Sequence, residues 1–174
     1  MANISTNSGN VPYVKTGYKK LLGLGEGVTG EEFLMEFENN SNIKFLVQSA
    51  QIPAVQRDNV ESRGPLGVQF NQQGAYKNAQ DITLTIKEVV KGVAYAFIRD
   101  WVVNHRYMTV KLTLTGEKFS ANASTSWVLE DCWIECEAAE LSVEDSTTLV
   151  RPSITLHANW VGHEDTTTVD LTVN

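Results

Sequence analysis

The chain is short of several things at once. Its 174 residues hold two cysteines, four prolines and three histidines, with no long apolar run and no cluster of Lys and Arg. A membrane-spanning helix needs about 20 consecutive apolar residues, and nothing here approaches that. Cys132 and Cys136 fall in one strand-like stretch. Four residues of strand separate them by roughly 13 Å, beyond the reach of about 7 Å between Cα atoms that a disulfide allows. They read as two small core residues on one face, since a metal site needs two further ligands nearby. His105, His157 and His163 show no ligand-type spacing, and no Gly-x-Ser-x-Gly elbow or P-loop occurs. No catalytic residue, no cofactor and no metal is therefore expected, and the chain is read as a non-enzyme.

Positive charge is scarce too. Fourteen cations face twenty-one acids, a net charge of -7, with a sequence pI near 4.9. Adhesion to DNA phosphates is driven by Lys and Arg releasing counterions, so this balance argues against a nucleic-acid binder. Residues 1–10 have neither a basic nor an apolar signal region, so export by a signal peptide is not expected.

What the chain does have is period-two patterning. Residues 81–105 are its centre: Ile82, Leu84 and Ile86 alternate with Thr83, Thr85 and Lys87, as in a strand buried on one face. From Val90 the period changes. Val93, Phe97 and Trp101 are spaced by four, as are Ala94, Ile98 and Val102, which predicts one helix over 90–105. No other window has comparable helical periodicity, so this helix must lie on a sheet.

Around that centre, residues 1–31 read as an extended arm. Its Gly25-Glu-Gly27-Val-Thr-Gly30 matches a dinucleotide-loop pattern, but a strand-like stretch follows where the mechanism needs a helix. Phe33, Met35 and Phe37 form the inward set of a first strand, and Ile43, Phe45 and Val47 that of a second. Residues 54–80 make a long polar, glycine-punctuated excursion with a strand near Val68–Phe70, and excursions of that length are usually functional. Met108 to Leu114, Trp127 to Leu141 and Ser153 to Trp160 alternate again. In the second of these Cys132, Ile134, Cys136 and Ala138 point one way, and Asp131, Trp133, Glu135 and Glu137 the other. Residues 117–126 read as a polar loop. Residues 162–174 form a threonine-rich tail in which Val169, Leu171 and Val173 alternate, an added edge strand for this copy or a neighbour. The expected fold is mainly β: two packed antiparallel sheets or a distorted barrel with one flanking helix.

The order of segments resembles a known family. Phe33 to Phe37, Phe45 to Ala54, the Arg- and Gly-bearing excursion, Ile82 to Ile86, Phe97 to Trp101, Leu129 to Ile134 and Ile154 to Trp160 follow one another as in the tail tube proteins of contractile-tailed bacteriophages. The likeness covers about residues 32–161, leaving the arm and the tail outside.

The resemblance implies a structural subunit: hexameric rings stacked into a hollow tube inside a sheath, with DNA passing through the bore during ejection. The implied partners are further copies of the chain, the sheath protein, baseplate and terminator proteins, and a tape-measure protein in the lumen. The implied location is the virion tail, after assembly in the host bacterial cytoplasm. Type VI secretion and pyocin-like machines use the same fold, so a secretion-like or tailocin tube, or a baseplate or terminator protein, are alternatives. A different-class alternative is an acidic β-sandwich binding module, thinly supported because Tyr13, Tyr18 and Tyr76 are scattered. On the tube reading, Asp131, Glu135 and Glu137 are expected to face the lumen, where an acidic wall repels phosphates. The competing placement of these acids is the sheath side or solvent. Arg57, Asp58, Glu61 and Arg63 offer both signs of charge for head-to-tail contact between rings.

Overall fold

A computed structural model of the chain describes residues 11–24, 27–40, 42–115, 125–139, 141–143 and 147–163. The chain divides into two units, residues 1–32 and residues 33–174. The described part of the first is a helix, α1 (Val11–Leu24), and the residues leading out of it. This corrects the expectation of an extended arm and of a single helix. Apolar residues at 11, 14, 18, 21 and 22 do follow a helical period; two internal glycines and three lysines dilute the signal. The expected loop over 117–126 and tail over 162–174 lie almost wholly outside the described residues.

The second unit holds the strands β1 (Phe33–Phe37), β2 (Val47–Ala50), β3 (Arg57–Arg63), β4 (Gln69–Tyr76), β5 (Gln80–Ile86), β6 (Met108–Leu114), β7 (Thr125–Cys136), β8 (Ser153–Ala158) and β9 (Trp160–His163). Helix α2 (Val93–Val103) lies between β5 and β6. The main sheet runs β1-β6-β7-β8-β5-β2, every neighbour antiparallel, with β9 also on β7. It is a nearly closed, distorted barrel-like sheet built from two halves, as the alternating pattern leads one to expect.

The joint between the halves is one bulge. In β7 Trp127 and Leu129 are buried, then Cys132 and Ile134, so the inward set slips by one residue. The register carries the slip: Val110 faces Leu129, but Met108 faces Cys132. Asp131 takes up the extra residue at φ 50°, a left-handed conformation that Asp tolerates better than most residues. Opposite it the partner strand breaks at Asn159. The Asn159 backbone N–H donates to the Glu130 carbonyl at 3.3 Å, and its Nδ2 donates to the Asp131 carbonyl at 3.0 Å. The first half of β7 thus belongs with β6, β1 and β9, and the second half with β8, β5 and β2.

Helix α2 packs on the core through Ala94, Phe97, Ile98 and Trp101. Trp101 meets Phe97 and Phe37 edge to face, at centroid distances of 5.4 and 6.0 Å, and its Nε1 donates to the Arg106 carbonyl at 2.9 Å. The expected stripe was wider: Val93 and Val102 sit at its margins, both partly in solvent. The helix also begins later than position 90. Gly92 at φ 69° turns the chain into it, and the Glu88 carboxylate accepts from the backbone N–H groups of Ala94 at 3.2 Å and Tyr95 at 2.7 Å. That carboxylate satisfies donors the first helical turn otherwise leaves open.

Two further expectations are corrected. Residues Ile43–Phe45 form a 3-10 turn rather than a strand. At three residues per turn Ile43 and Phe45 cannot face the same way; Ile43 is fully buried and Phe45 is 75% exposed. Cys136 and Ala138 do not join Cys132 in the core, because β7 ends at Cys136, where the strand has already left the covered part of the sheet.

Candidate functional site

Three features of the second unit stand out as surfaces built to meet something. The first is the β3–β4 hairpin, a separate two-stranded sheet in which every residue of β3 is exposed. Two strands alone are marginally stable, and both outer edges of this pair are free of other strands among the described residues. Its base is tied down instead. The Gln80 side-chain amide holds both backbone groups of Ala54, Asn78 Nδ2 donates to the Asn159 carbonyl at 2.8 Å, and the Tyr76 ring lies 6.4 Å from that of Trp160. Gly74 lets the strands close up: a Cβ there would stand 3.0 Å from Val60 Cγ2 and 3.1 Å from the Asp58 carbonyl. At the tip Leu66 is fully exposed at φ 63°.

The four charges predicted for this excursion all lie on the hairpin, though not in one role. Arg57 and Asp58 belong to its base. Arg57 donates to the Gly74 carbonyl at 3.3 Å and sits over the Tyr76 ring, while Asp58 pairs with Lys77 at 3.3 Å. Glu61 and Arg63 stand further out, with Val60 and Phe70 exposed beside them.

The second feature is the outward face of the half-sheet β7-β8-β5-β2. Register puts Trp133, His157 and Asp81 in one row, then Glu135, Thr155 and Thr83, then Ser153, Thr85 and Ser49. Ser49 Oγ and Thr85 Oγ1 lie 2.7 Å apart. Hydroxyls and carboxylates dominate these rows. Of the three acids singled out in the sequence, Glu135 is on this face and Glu137 continues β7 beyond it, its N–H bonded to the Ser153 carbonyl at 3.0 Å. Asp131 is set apart in the bulge.

His157 is the residue that sequence reasoning passed over. Its ring stacks on Trp133 at 4.0 Å. Nδ1 lies 2.6 Å from Asp81 Oδ1, and the buried Nε2 is 3.8 Å from Glu135 Oε2 with no hydrogen-bond partner. The cluster ties three strands together across the face. Among the described residues the imidazole meets two carboxylates and the Trp133 ring. Alternation alone places Asp81, Glu135 and His157 outward; which strands pair is not written in it.

The third feature is a pair of free edges. In the second half of β7, residues 133–136 pair with β8 on one side and with no strand on the other, among the described residues. Because the Glu137 N–H points at β8, alternation turns the backbone groups of Ile134 and Cys136 to the open side. A groove of about 840 Å³ runs there, between β7 and the α2 residues Ile98, Val102 and Val103. On the opposite side of the half-sheet β2 is the other free edge among the described residues. Gln51 N–H donates to the Thr83 carbonyl at 3.2 Å, so the groups of Ala50 face away from β5.

Two cysteines complete the site. Cys132 lies in the core, where burial and the neighbouring Asp131 push its thiol up to about 12. Cys136, on the open edge, is also raised, first by partial burial and then by Glu137. Among the described residues no group of acids, histidines and cysteines is arranged to hold a metal ion.

No family model and no curated protein matches the sequence. Solved structures do. A chain of the PVC sheath–tube complex, an extracellular contractile injection system in its extended state, superposes with a TM-score of 0.65 at 17% identity, covering 83% of this chain and 96% of that one. The sheath/tube terminator of the same system gives 0.67 at 18%, over 82% and 99%. The tube-terminating cap of the anti-feeding prophage gives 0.62 at 18%, over 80% and 91%. At such identities the likeness is one of architecture, and the chain has the tail tube-like fold of these contractile injection system proteins.

Proposed function

We propose that this chain is a structural subunit that closes into a hexameric ring and stacks into the tube of a contractile tail. The observation that carries the reading is the pair of free edges on one four-stranded half-sheet. From β7 through β8 and β5 to β2 each strand reverses the last, so β7 and β2 run in opposite directions. Rotation about a ring axis preserves strand direction along that axis. The β2 of a second copy laid beside β7 is therefore antiparallel to it, and Ala50 meets Ile134 and Cys136 with donors and acceptors on both sides. Repeating the step joins the half-sheets into one closed barrel and removes every exposed edge in it.

In such a ring the outward face of the half-sheet becomes the bore. Its lining is then Asp81, Glu135 and hydroxyl side chains, with Glu137 at one margin and Asp131 at the other, a wall that repels phosphates and holds nothing tightly. That composition suits a conduit for DNA. The hairpin then contacts the next ring: Glu61 and Arg63 supply charges of both signs, and Val60, Leu66 and Phe70 supply apolar surface. Sheath, baseplate, terminator and an internal tape-measure protein are the partners such a tube requires, and the location is the particle itself.

A second reading is a terminator or cap of the same fold, favoured by the likeness to the PVC terminator and the anti-feeding prophage cap. Negative-stain microscopy of the purified chain separates the two. Hollow rods support the tube subunit, and isolated rings that never stack support the terminator. Monomers at every concentration refute both and favour the binding module. Within rods, a reconstruction that puts Glu135 on the outer wall rejects the assignment of the bore.

A further inference from the structure

Helix α1 has one apolar arc with lysines along one margin. At about 100° per residue, Leu21, Val14, Tyr18, Val11 and Leu22 fall in one continuous arc, Lys15 and Lys19 follow beyond Leu22, and Lys20 lies on the far side with Tyr13 and Leu24. Each of those five apolar side chains is more than half exposed, and no residue of the helix is buried. A 14-residue helix interrupted by Gly17 and Gly23 is too short to stand by itself in water. Its apolar arc is a surface awaiting a partner.

Charge says what kind. Three of the chain's fourteen cations lie in α1 and none of its twenty-one acids, so the other 160 residues carry a net charge of -10. Two α1 helices packed arc to arc would leave six lysines with no acid between them. An anionic bilayer would meet the lysines but also the acidic remainder of the chain. The acidic body of another copy complements α1 in charge. We propose that α1 docks on a second copy of this chain, burying the Val14–Tyr18–Leu21 arc with Lys15 and Lys19 reaching carboxylates at its margin. The inference rests on the assembly reading for the presence of that second copy.

The test is amide hydrogen exchange on the full chain, comparing a dilute monomer with the assembled protein. Exchange over residues 11–24 is expected to slow at least about tenfold on assembly. Lys15→Glu, Lys19→Glu and Lys20→Glu together abolish the slowing, the corresponding Arg substitutions keep it, and exchange in β5 and β8 is unchanged by either set. Equal exchange of α1 in monomer and assembly overturns the proposal, as does slowing that survives the triple reversal. Slowing produced only by phosphatidylglycerol vesicles, and not by assembly, overturns it in favour of a lipid surface. Rods with a freely exchanging α1 refute this inference and leave the tube standing. Protected α1 in small oligomers that never form rods does the reverse, and a chain that never associates refutes both.

Discussion

Replacing Cys136 by proline tests the free edge with little cost to the monomer. The Cys136 N–H points away from β8, so proline there takes no hydrogen bond out of the β7–β8 ladder, and edge positions of this kind accept it. The side chain is exposed, so no core packing is lost. Monomer stability should stay within about 1 kcal/mol of the parent. A closed ring is different. Each copy contributes one β2–β7 contact, and proline removes one donor from it and places a ring carbon where the neighbouring strand must approach. Taking the upper range for one net hydrogen bond, about 1.4 kcal/mol per contact, the concentration at which assembly begins rises about tenfold. Glu135→Pro is the contrast: its N–H faces β8, and its loss weakens the monomer itself. Light scattering against concentration, with thermal melting of the dilute chain alongside, reads both quantities. Assembly of Cys136→Pro at the parent concentration, with rings of normal appearance, would refute edge-to-edge closure.

Trp101→Ala removes the side chain that holds α2 to Phe37 and Phe97 and should cost roughly 3–5 kcal/mol in urea unfolding; a loss under about 1 kcal/mol would mean the helix is not anchored there. Under native conditions a thiol reagent should modify Cys136 alone, with Cys132 reacting only on unfolding, and assembly into rings should protect Cys136 as well. The folded Cys132 thiol holds its proton to about 12, whereas in the unfolded chain it ionises near its ordinary 9.0. Its contribution is therefore complete below pH 9 and lost as pH rises toward 12, at up to roughly 1.4 kcal/mol per pH unit. Cys132→Ala should flatten the alkaline limb of the stability profile by that slope, and an unchanged limb would contradict the burial argument. Arg63→Glu should stop rings from stacking while leaving the melting temperature where it was. Arg57→Glu should in addition loosen the hairpin, because Arg57 also braces Gly74 and Tyr76; rods of normal length from Arg63→Glu would make the hairpin irrelevant to stacking.

Much of this architecture is legible from alternation, and its failures have physical causes. Ile82, Leu84 and Ile86 read as inward because one face of β5 is covered along its whole length. In β7 the same rule breaks at Asp131, since a bulge inserts a residue without leaving a composition mark: Asp-Cys-Trp-Ile looks like uninterrupted strand. Phe45 misleads for a related reason, as a large apolar side chain two places from Ile43 imitates a strand when the backbone is in fact a 3-10 turn. Helix α1 was hidden because period-seeking favours dense apolar stripes, and Gly17 and Gly23 thin this one. The hairpin charges could be seen as a group, but the division between base and tip depends on partners such as Gly74 and Lys77, which register alone creates. The same holds for His157, whose neighbours come from two other strands and lie 22 and 76 residues away in sequence.

These misses share a consequence for function. Among the described residues, each hidden feature sits where the chain is incomplete by itself: a bulge that carries half of β7 to an open edge, a hairpin with no third strand, a helix with no buried residue. Two open edges of opposite direction on one half-sheet, among the described residues, are an aggregation hazard unless something pairs with them. In the proposed ring the hazard would become the bond, since every copy presents both halves of the same contact. The proposed contact is heterologous, each β7 meeting the β2 of the next copy, so strands that meet antiparallel at one joint do so at all of them.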